Sequence, residues 1–222
     1  MNKNIGREKM IQKIKNNKLM VLIIFLLLII ITMITKKIII KEELIIDKLA
    51  YDILVTKLRN PFLTSVMKLV TKLSNTSVII SLSMIFIIYF YYIIKKKKIS
   101  FLIVVNLVFI VFLNQILKLI FKRDRPIGFR IIEMSGYSFP SGHAMVSMAF
   151  YGLLIYIIHH FVKNKKLKTI LITLNVIIII LIGISRVYLG VHYLSDVVIG
   201  YSISIIYLLI LTKYLNKYHI IT

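Results

Sequence analysis

The hydrophobic positions of the chain fall into six long runs separated by polar and basic stretches. The runs occupy roughly residues 19–35, 78–94, 99–121, 140–162, 169–188 and 196–215. A helix needs about 20 predominantly apolar residues to cross the hydrocarbon of a bilayer. We therefore expect an all-α protein, a six-span transmembrane helical bundle that forms a single integral membrane domain over residues 1–222.

The long connector between the first two runs, residues 36–77, has a periodicity of its own. Its apolar positions recur mainly at intervals of three or four: Leu44, Ile45, Leu49, Ile53, Leu54 and Leu58, then Phe62, Val66, Met67, Leu69, Val70 and Leu73. This pattern predicts two amphipathic helices on the outer membrane surface, broken at Asn60-Pro61. Two interpretations stay open: the helices cover the core, or they flank a lateral opening for a lipid headgroup.

Composition and charge restrict the class of protein. A hydrophobic content of 59% and a mean hydropathy of +0.90 exclude an ordinary soluble domain. The net charge of +22 would suit a nucleic-acid partner, but the basic residues are grouped at the ends of apolar runs, so we expect no nucleic acid. Because cysteine is absent, neither a disulfide framework nor a thiolate metal site is available.

The placement of the basic residues also predicts the orientation. Residues 1–18 carry six basic side chains, which places the amino terminus in the cytoplasm. Lys36 and Lys37 follow the first run and no small-residue cleavage site does, so we expect an uncleaved first span. The lysines at 95–98 and 163–168 mark further cytoplasmic ends. With six spans, both termini are then cytoplasmic.

The most polar cluster lies between the fifth and sixth runs, where Arg186, His192 and Asp196 stand beside very apolar segments. Ionisable residues in such places are usually functional. His192 and Asp196 are four positions apart, so in a helix the carboxylate would share a face with the imidazole and accept its Nδ1 proton. Nε2 would then be free as a nucleophile or a base.

A second cluster follows the third run. Lys118 and Arg125 are seven positions apart, which is about two helical turns and roughly one helix face. The outer loop after them is unusually basic, and a phosphate ligand would explain this because guanidinium groups bind phosphate oxygens bidentately. The other two loop arginines, Arg123 and Arg130, are interpreted as solvated neighbours rather than ligands.

A third cluster, Pro140-Ser141-Gly142-His143, opens the fourth run. Ser141 is placed as a helix N-cap, Gly142 lets the backbone approach a ligand, and His143 falls on the first turn. Such a helix start presents free amides and a partial positive charge to an anion. His159-His160 at the far end of this run are interpreted as interfacial histidines and not as metal ligands.

The order Lys-x6-Arg-Pro, Pro-Ser-Gly-His, Ser-Arg-x5-His-x3-Asp resembles the three-part motif of the type 2 phosphatidic acid phosphatase (PAP2) family, membrane lipid phosphate phosphatases related to vanadium haloperoxidases. The resemblance covers residues 118–196, and every motif position is filled. It implies that His192, oriented by Asp196, is the nucleophile and that His143 is the general acid. It implies phosphate contacts from five residues: Lys118, Arg125, Ser141, Gly142 and Arg186. It also implies a phosphohistidine intermediate with no cofactor and no metal.

Rival functions remain open. The two histidines and Asp196 could hold a catalytic metal, although the clustered cations would repel a dication. A non-catalytic carrier of lipid phosphates would need the charge but not an oriented imidazole. Among substrates, phosphatidylglycerol phosphate and phosphatidic acid are favoured by the resemblance, with undecaprenyl diphosphate as the alternative. The oligomeric state is not predicted, since no Gly-x-x-x-Gly pattern is present.

Overall fold

The structure, a computed structural model, describes the backbone of residues 2–218 and 220 and the side chains of residues 17–218 and 220. Most of the basic side chains at the amino terminus therefore lie outside the described residues. Every regular element in the described ranges is helical: α1 (Asn2–Ile39), α2 (Ile45–Tyr51), α3 (Pro61–Lys72), α4 (Thr76–Ile88), α5 (Lys97–Phe121), α6 (Gly142–Phe161), α7 (Lys165–Tyr188) and α8 (Leu194–Lys217). Short π-helical turns continue α2 over Asp52–Lys57 and α4 over Tyr89–Ile93.

Six helical segments in the described part of the chain are long and apolar enough to cross a membrane: Asn17–Ile39, Thr76–Ile93, Lys97–Phe121, Gly142–Phe161, Lys165–Tyr188 and Leu194–Lys217. The predicted fold class is therefore confirmed, with span ends that differ by a few residues. Large apolar side chains such as Phe25, Phe101 and Phe112 are exposed on the outside of the bundle. Lipid tails are as apolar as these side chains, so a membrane covers them at no cost.

The connector contains the two predicted helices and the predicted break. Asn60 caps α3 by accepting a hydrogen bond from the backbone N–H of Leu63 at 2.8 Å, and Pro61 fills the first helical position. Met67 of α3 is buried against Tyr188 and Leu189 at the end of α7. This packing supports the interpretation that the connector helices cover the core.

Helix α6 lies at the centre of the bundle and packs against α5, α7 and α8. Its Phe150 and Leu153 are buried with Ile103 and Ile182 in the largest apolar cluster. The asparagines of α5 bond across helices as interior polar groups in lipid must. Asn106 Nδ2 donates to the carbonyl of Ala149 at 3.0 Å, and Asn114 Nδ2 donates to the carbonyl of Pro140 at 3.1 Å.

One prediction about α5 is wrong. The helix ends at Phe121, and Lys122 adopts the left-handed conformation with φ 44°. Lys118 and Arg125 therefore do not share a helix face, because Arg125 lies in the irregular segment that joins α5 to α6. The prediction assumed that the helix continues from Lys118 to Arg125, but it ends three residues after Lys118.

Candidate active site

Four chain segments meet at one end of the bundle: the end of α5 with the loop behind it, the start of α6, the end of α7, and the turn before α8. We call this the site end. Ser141 N donates to the carbonyl of Asp196 at 3.1 Å, which ties the start of α6 to that of α8. Lys118 is half-buried here and interacts electrostatically with Arg125, Asp196 and Arg186. The three predicted clusters thus come together in space.

His192 and Asp196 lie side by side, but not for the predicted reason. His192 belongs to the turn before α8 and Asp196 to the first turn of that helix. Asp196 reaches backwards, accepting from the backbone N–H of Tyr193 at 3.0 Å, and its Oδ2 lies 3.4 Å from His192 Nδ1. This is the reciprocal half of a capping box. A helix cap, rather than a shared helix face, makes the contact.

Arg125 holds the other side of the His192 ring. The residue is 4% exposed, and its guanidinium donates to three carbonyls, those of Ser135, Gly136 and Val191, at 3.1, 2.9 and 2.9 Å. Nη1 of Arg125 also lies 3.2 Å from His192 Nε2. Since arginine only donates, Nε2 must carry the lone pair and Nδ1 the proton that points at Asp196. The tautomer is that of a poised nucleophile.

The charge state of His192 follows from its surroundings. The side chain is 2% exposed, and burial lowers the pKa of His192 well below its ordinary value. The nearby charges of Arg186, Arg125 and Lys118 lower this pKa further. The imidazole is therefore neutral near pH 7, and its Nε2 lone pair is available.

Arg186 is the most deeply placed cation of the site, with 1% of its surface exposed. Its Nη1 donates to Thr71 Oγ1 at 2.6 Å, whereas Nε and Nη2 have no hydrogen-bond partner within the described part of the chain. Leaving buried donors of a charged group unpaired costs free energy. Phosphate oxygens beside these cations would accept hydrogen bonds from the two unpartnered guanidinium nitrogens.

The start of α6 has the predicted cap. Ser141 accepts from the backbone N–H of Ala144 at 3.5 Å, and His143 follows on the first turn, half-buried. A Cβ added at Gly142 would lie 3.0 Å from Asn114 Oδ1, so the close neighbour here is a side-chain amide of α5. His143 Nε2 lies 3.1 Å from Asn75 Oδ1, a contact that the sequence did not indicate.

The interpretation of Arg123 as a solvated neighbour is wrong. Its side chain is 17% exposed and donates from Nη1 to Asp196 Oδ1 at 2.6 Å and from Nη2 to Asp47 Oδ2 at 2.9 Å. Asp47 of α2 also accepts from the backbone N–H and the hydroxyl of Ser195, both at 2.7 Å. Burial opposes the charge of Arg123, yet the two carboxylates raise the pKa of Arg123 above its ordinary value. Arg130, by contrast, is exposed as expected.

Sequence signals for these missed residues were weak. Asp47 is an acid on an otherwise amphipathic helix, a position normally solvated, and Arg123 stands two residues before a motif arginine. His159 and His160 are exposed at the far end of α6 from His143. No group of three or more His, Cys, Asp or Glu side chains in the described residues is placed to hold a metal ion. The metal alternative thus finds no ligand set there.

Comparisons with known proteins point to one family. Residues 100–220 match the PAP2 superfamily. Phosphatidylglycerophosphatase B of Bacillus subtilis (strain 168) is 38% identical over 95 residues, which are 42% of this chain. The aligned region spans 47% of that relative, so about half of its length is matched.

Two solved structures are similar over most of the chain. The first is the crystal structure of the first transmembrane PAP2 type phosphatidylglycerolphosphate phosphatase from Bacillus subtilis, with 30% identity, a TM-score of 0.73, and coverage of 89% of this chain and 96% of that one. Aquifex aeolicus LpxE, at 23% identity and a TM-score of 0.57 over 79% of this chain and 99% of that one, shares the fold. The match across residues 100–220 and the first of these structures show that this chain belongs to the PAP2 superfamily.

Proposed function

We propose that this protein is a membrane lipid phosphate phosphatase that hydrolyses phosphate monoesters, such as those of phosphatidylglycerol phosphate or phosphatidic acid, without a metal. The observation that carries the proposal is the state of His192. Its Nδ1 proton points at Asp196, and its Nε2 lone pair faces Arg125 among buried cations. Phosphate esters resist attack by anions, and a neutral imidazole surrounded by cations removes that repulsion.

The first step transfers the phosphoryl group to the protein. A phosphate oxygen takes over the N–H of Arg125 that now faces Nε2, and the free donors of Arg186 bind a second oxygen. Nε2 of His192 then forms a bond to phosphorus as the bond to the leaving oxygen breaks. His143 gives its proton to that oxygen, which leaves as an alcohol. Asp196 stabilises the positive charge that develops on the His192 ring.

The second step returns the protein to its starting state. His143, now neutral, takes a proton from water, and the water oxygen bonds to phosphorus as the bond to Nε2 breaks. Inorganic phosphate leaves and His192 is neutral again. Throughout, Lys118, Arg125 and Arg186 stay charged beside the phosphoryl oxygens, and positive charge fixed in a water-poor site is the largest contribution that a protein can make to phosphoryl transfer.

The site end faces outwards in this proposal, with both termini in the cytoplasm. The inner segments 1–18, 95–98 and 163–168 hold six, four and four basic residues. Two outer segments are also basic. The long connector 36–77 is exempted by its amphipathic helices, and in the loop after α5 two of the basic residues, Arg123 and Arg125, are bound inside the protein. Substrates would then be lipid phosphates of the outer leaflet.

The names of the relatives support the substrate class. Both the curated relative and the more similar solved structure are named for phosphatidylglycerophosphate. A carrier would also explain the cations, but not the oriented tautomer of His192. Phosphate release in detergent, measured for phosphatidylglycerol phosphate, phosphatidic acid and undecaprenyl diphosphate, distinguishes these functions. We expect release from the two monoesters; binding without release from any of the three would favour the carrier.

A further inference from the structure

Three asparagines of this chain stand at the position just before a helix: Asn60 before α3, Asn75 before α4 and Asn164 before α7. Asparagine is favoured there because its side-chain oxygen accepts a backbone N–H of the first turn. Asn60 and Asn164 do this, accepting from the N–H groups of Leu63 and Leu167 at 2.8 and 3.0 Å. Asn75 makes no such bond to the described first turn of α4.

The side chain of Asn75 is instead directed at His143, with Oδ1 3.1 Å from Nε2. Helix α6 is fixed to the same segment at two places, once through its backbone and once through a side chain. Ser74 Oγ donates to the carbonyl of His143 at 3.0 Å, and Tyr151 OH donates to the carbonyl of Leu73 at 2.8 Å. The corner between α3 and α4 is therefore anchored to the first three turns of α6, and this places Asn75 beside the His143 ring.

The same corner also reaches the deepest cation of the site. Thr71, at the end of α3, accepts the hydrogen bond from Arg186 Nη1. Residues 71–75 thus contact both a phosphate-binding candidate and the candidate general acid. A helix without a side-chain cap is less stable. The contact of Asn75 with His143 must therefore have a role that offsets the missing cap of α4.

The proton positions supply that reason. An amide oxygen only accepts, so the bond to Asn75 Oδ1 requires the proton of His143 to be on Nε2. Nδ1 is then the atom left to give a proton to the leaving oxygen and to take one from water. A neutral amide performs this orientation without a negative charge, which would repel the phosphate that Lys118, Arg125 and Arg186 attract.

We propose that Asn75 is a positioning residue for the general acid, holding the His143 ring through Nε2–H so that Nδ1 faces the leaving oxygen. The inference rests on the proposed phosphatase function. In the first step the His143 imidazolium gives its Nδ1 proton to the leaving oxygen as the phosphorus–oxygen bond breaks. In the second step Nδ1 takes a proton from water, and the bond between Nε2–H and Asn75 persists throughout.

The test compares Asn75→Ala with Asn164→Ala, which removes an ordinary cap at the far end of the bundle. We measure steady-state release of phosphate from a lipid phosphate and first-turnover release of nitrophenolate from 4-nitrophenyl phosphate. An alkoxide needs a proton to leave, whereas nitrophenolate does not. We expect Asn75→Ala to lower kcat on the lipid about 10- to 100-fold, which is less than the roughly 10²–10⁴ that general acid–base catalysis contributes, because His143 itself is kept. The nitrophenolate burst should stay nearly unchanged.

Asn164→Ala should lower the melting temperature and leave kcat for the lipid unchanged. A third variant, Asn75→Asp, keeps the acceptor atoms but adds a charge that repels the phosphate, so its pH profile is the informative measurement. Its negative charge should move the alkaline limb of kcat to higher pH, because it favours the imidazolium. The inference is overturned if Asn75→Ala behaves like Asn164→Ala, if it slows the nitrophenolate burst as strongly as lipid turnover, or if Asn75→Asp leaves the alkaline limb unchanged. Absence of turnover by the unaltered protein would instead refute the phosphatase function.

Discussion

Arg123 and Asp196 form an ion pair with 2.6 Å between Nη1 and Oδ1, on the opposite side of the carboxylate from His192. The pair is continued by Asp47 on α2, which binds the other nitrogen of the same guanidinium. A surface helix of the connector is therefore linked to the Asp196 carboxylate through one arginine. One carboxylate oxygen is held by Arg123, which leaves the other beside Nδ1 of the His192 ring.

Arg123→Ala should lower both stability and turnover. Removing one partner of a buried ion pair leaves the other charge uncompensated, which costs about 3–5 kcal/mol. Asp196 would also lose the contact that aims it. Thermal unfolding and kcat should fall together, whereas Arg130→Ala, at an exposed arginine of the same loop, should change neither. Equal effects of the two variants would contradict the structural role of Arg123.

His192→Ala should abolish turnover while the protein stays folded. Loss of a nucleophile costs several orders of magnitude, about 10⁴-fold or more. Asp196→Asn should cost less, about 10²- to 10⁴-fold, because the nucleophile survives in the wrong orientation. Phosphate release measures both, and a phosphorylated protein trapped in alkali should form with the unaltered chain and not with His192→Ala. Near-normal activity of His192→Ala would exclude its role.

The pH dependence of kcat/KM should reflect the lowered pKa of His192. Burial and the neighbouring cations favour the neutral ring, so the nucleophile stays active as the pH falls through about 6.5, the ordinary histidine value. Activity is lost only when the pH falls through the lower pKa of the folded protein. The substrate's own phosphate ionisation is measured separately by phosphorus NMR. An acidic limb near 6.5 that the substrate does not explain would contradict this expectation.

Activity should persist in excess chelator. The proposed chemistry uses protein cations where a metal hydrolase would use a bound dication. Phosphate release is measured before and after treatment with a chelator, followed by removal of the chelator. A loss that zinc or magnesium restores would instead support the metal mechanism.

The orientation can be tested directly because the chain has no cysteine. Ile127→Cys lies on the loop between α5 and α6, and Lys166→Cys lies at the start of α7; both positions are exposed. In intact cells a membrane-impermeant thiol reagent should label the first and not the second. The opposite result would place the site on the cytoplasmic side of the membrane. Labelling of both cysteines after cell disruption shows that the reagent can reach each of them.

Features that depend on neighbouring residues could be predicted from the amino-acid sequence. Runs of apolar residues specify spans because each must satisfy its backbone internally in lipid. Ser141 predicted a helix start, and Asn60-Pro61 predicted a break, because caps and proline act within one turn. The motif order also predicted Lys118 and Arg186 as phosphate contacts, although it could not predict which residues surround them.

Contacts between residues far apart in the chain could not be predicted in this way. Arg123 contacts Asp196, which is 73 positions away in the chain, and Asn75 contacts His143, which is 68 positions away. The local sequence favours a helix-capping role for Asn75 and a solvent-exposed side chain for Arg123. Tertiary packing gives both side chains other partners. Even the correct pairing of His192 with Asp196 arises from a cap rather than a helix face. Side-chain partners at such separations are set by how α2, α5, α6 and α8 pack, and helical periodicity carries no information about that packing.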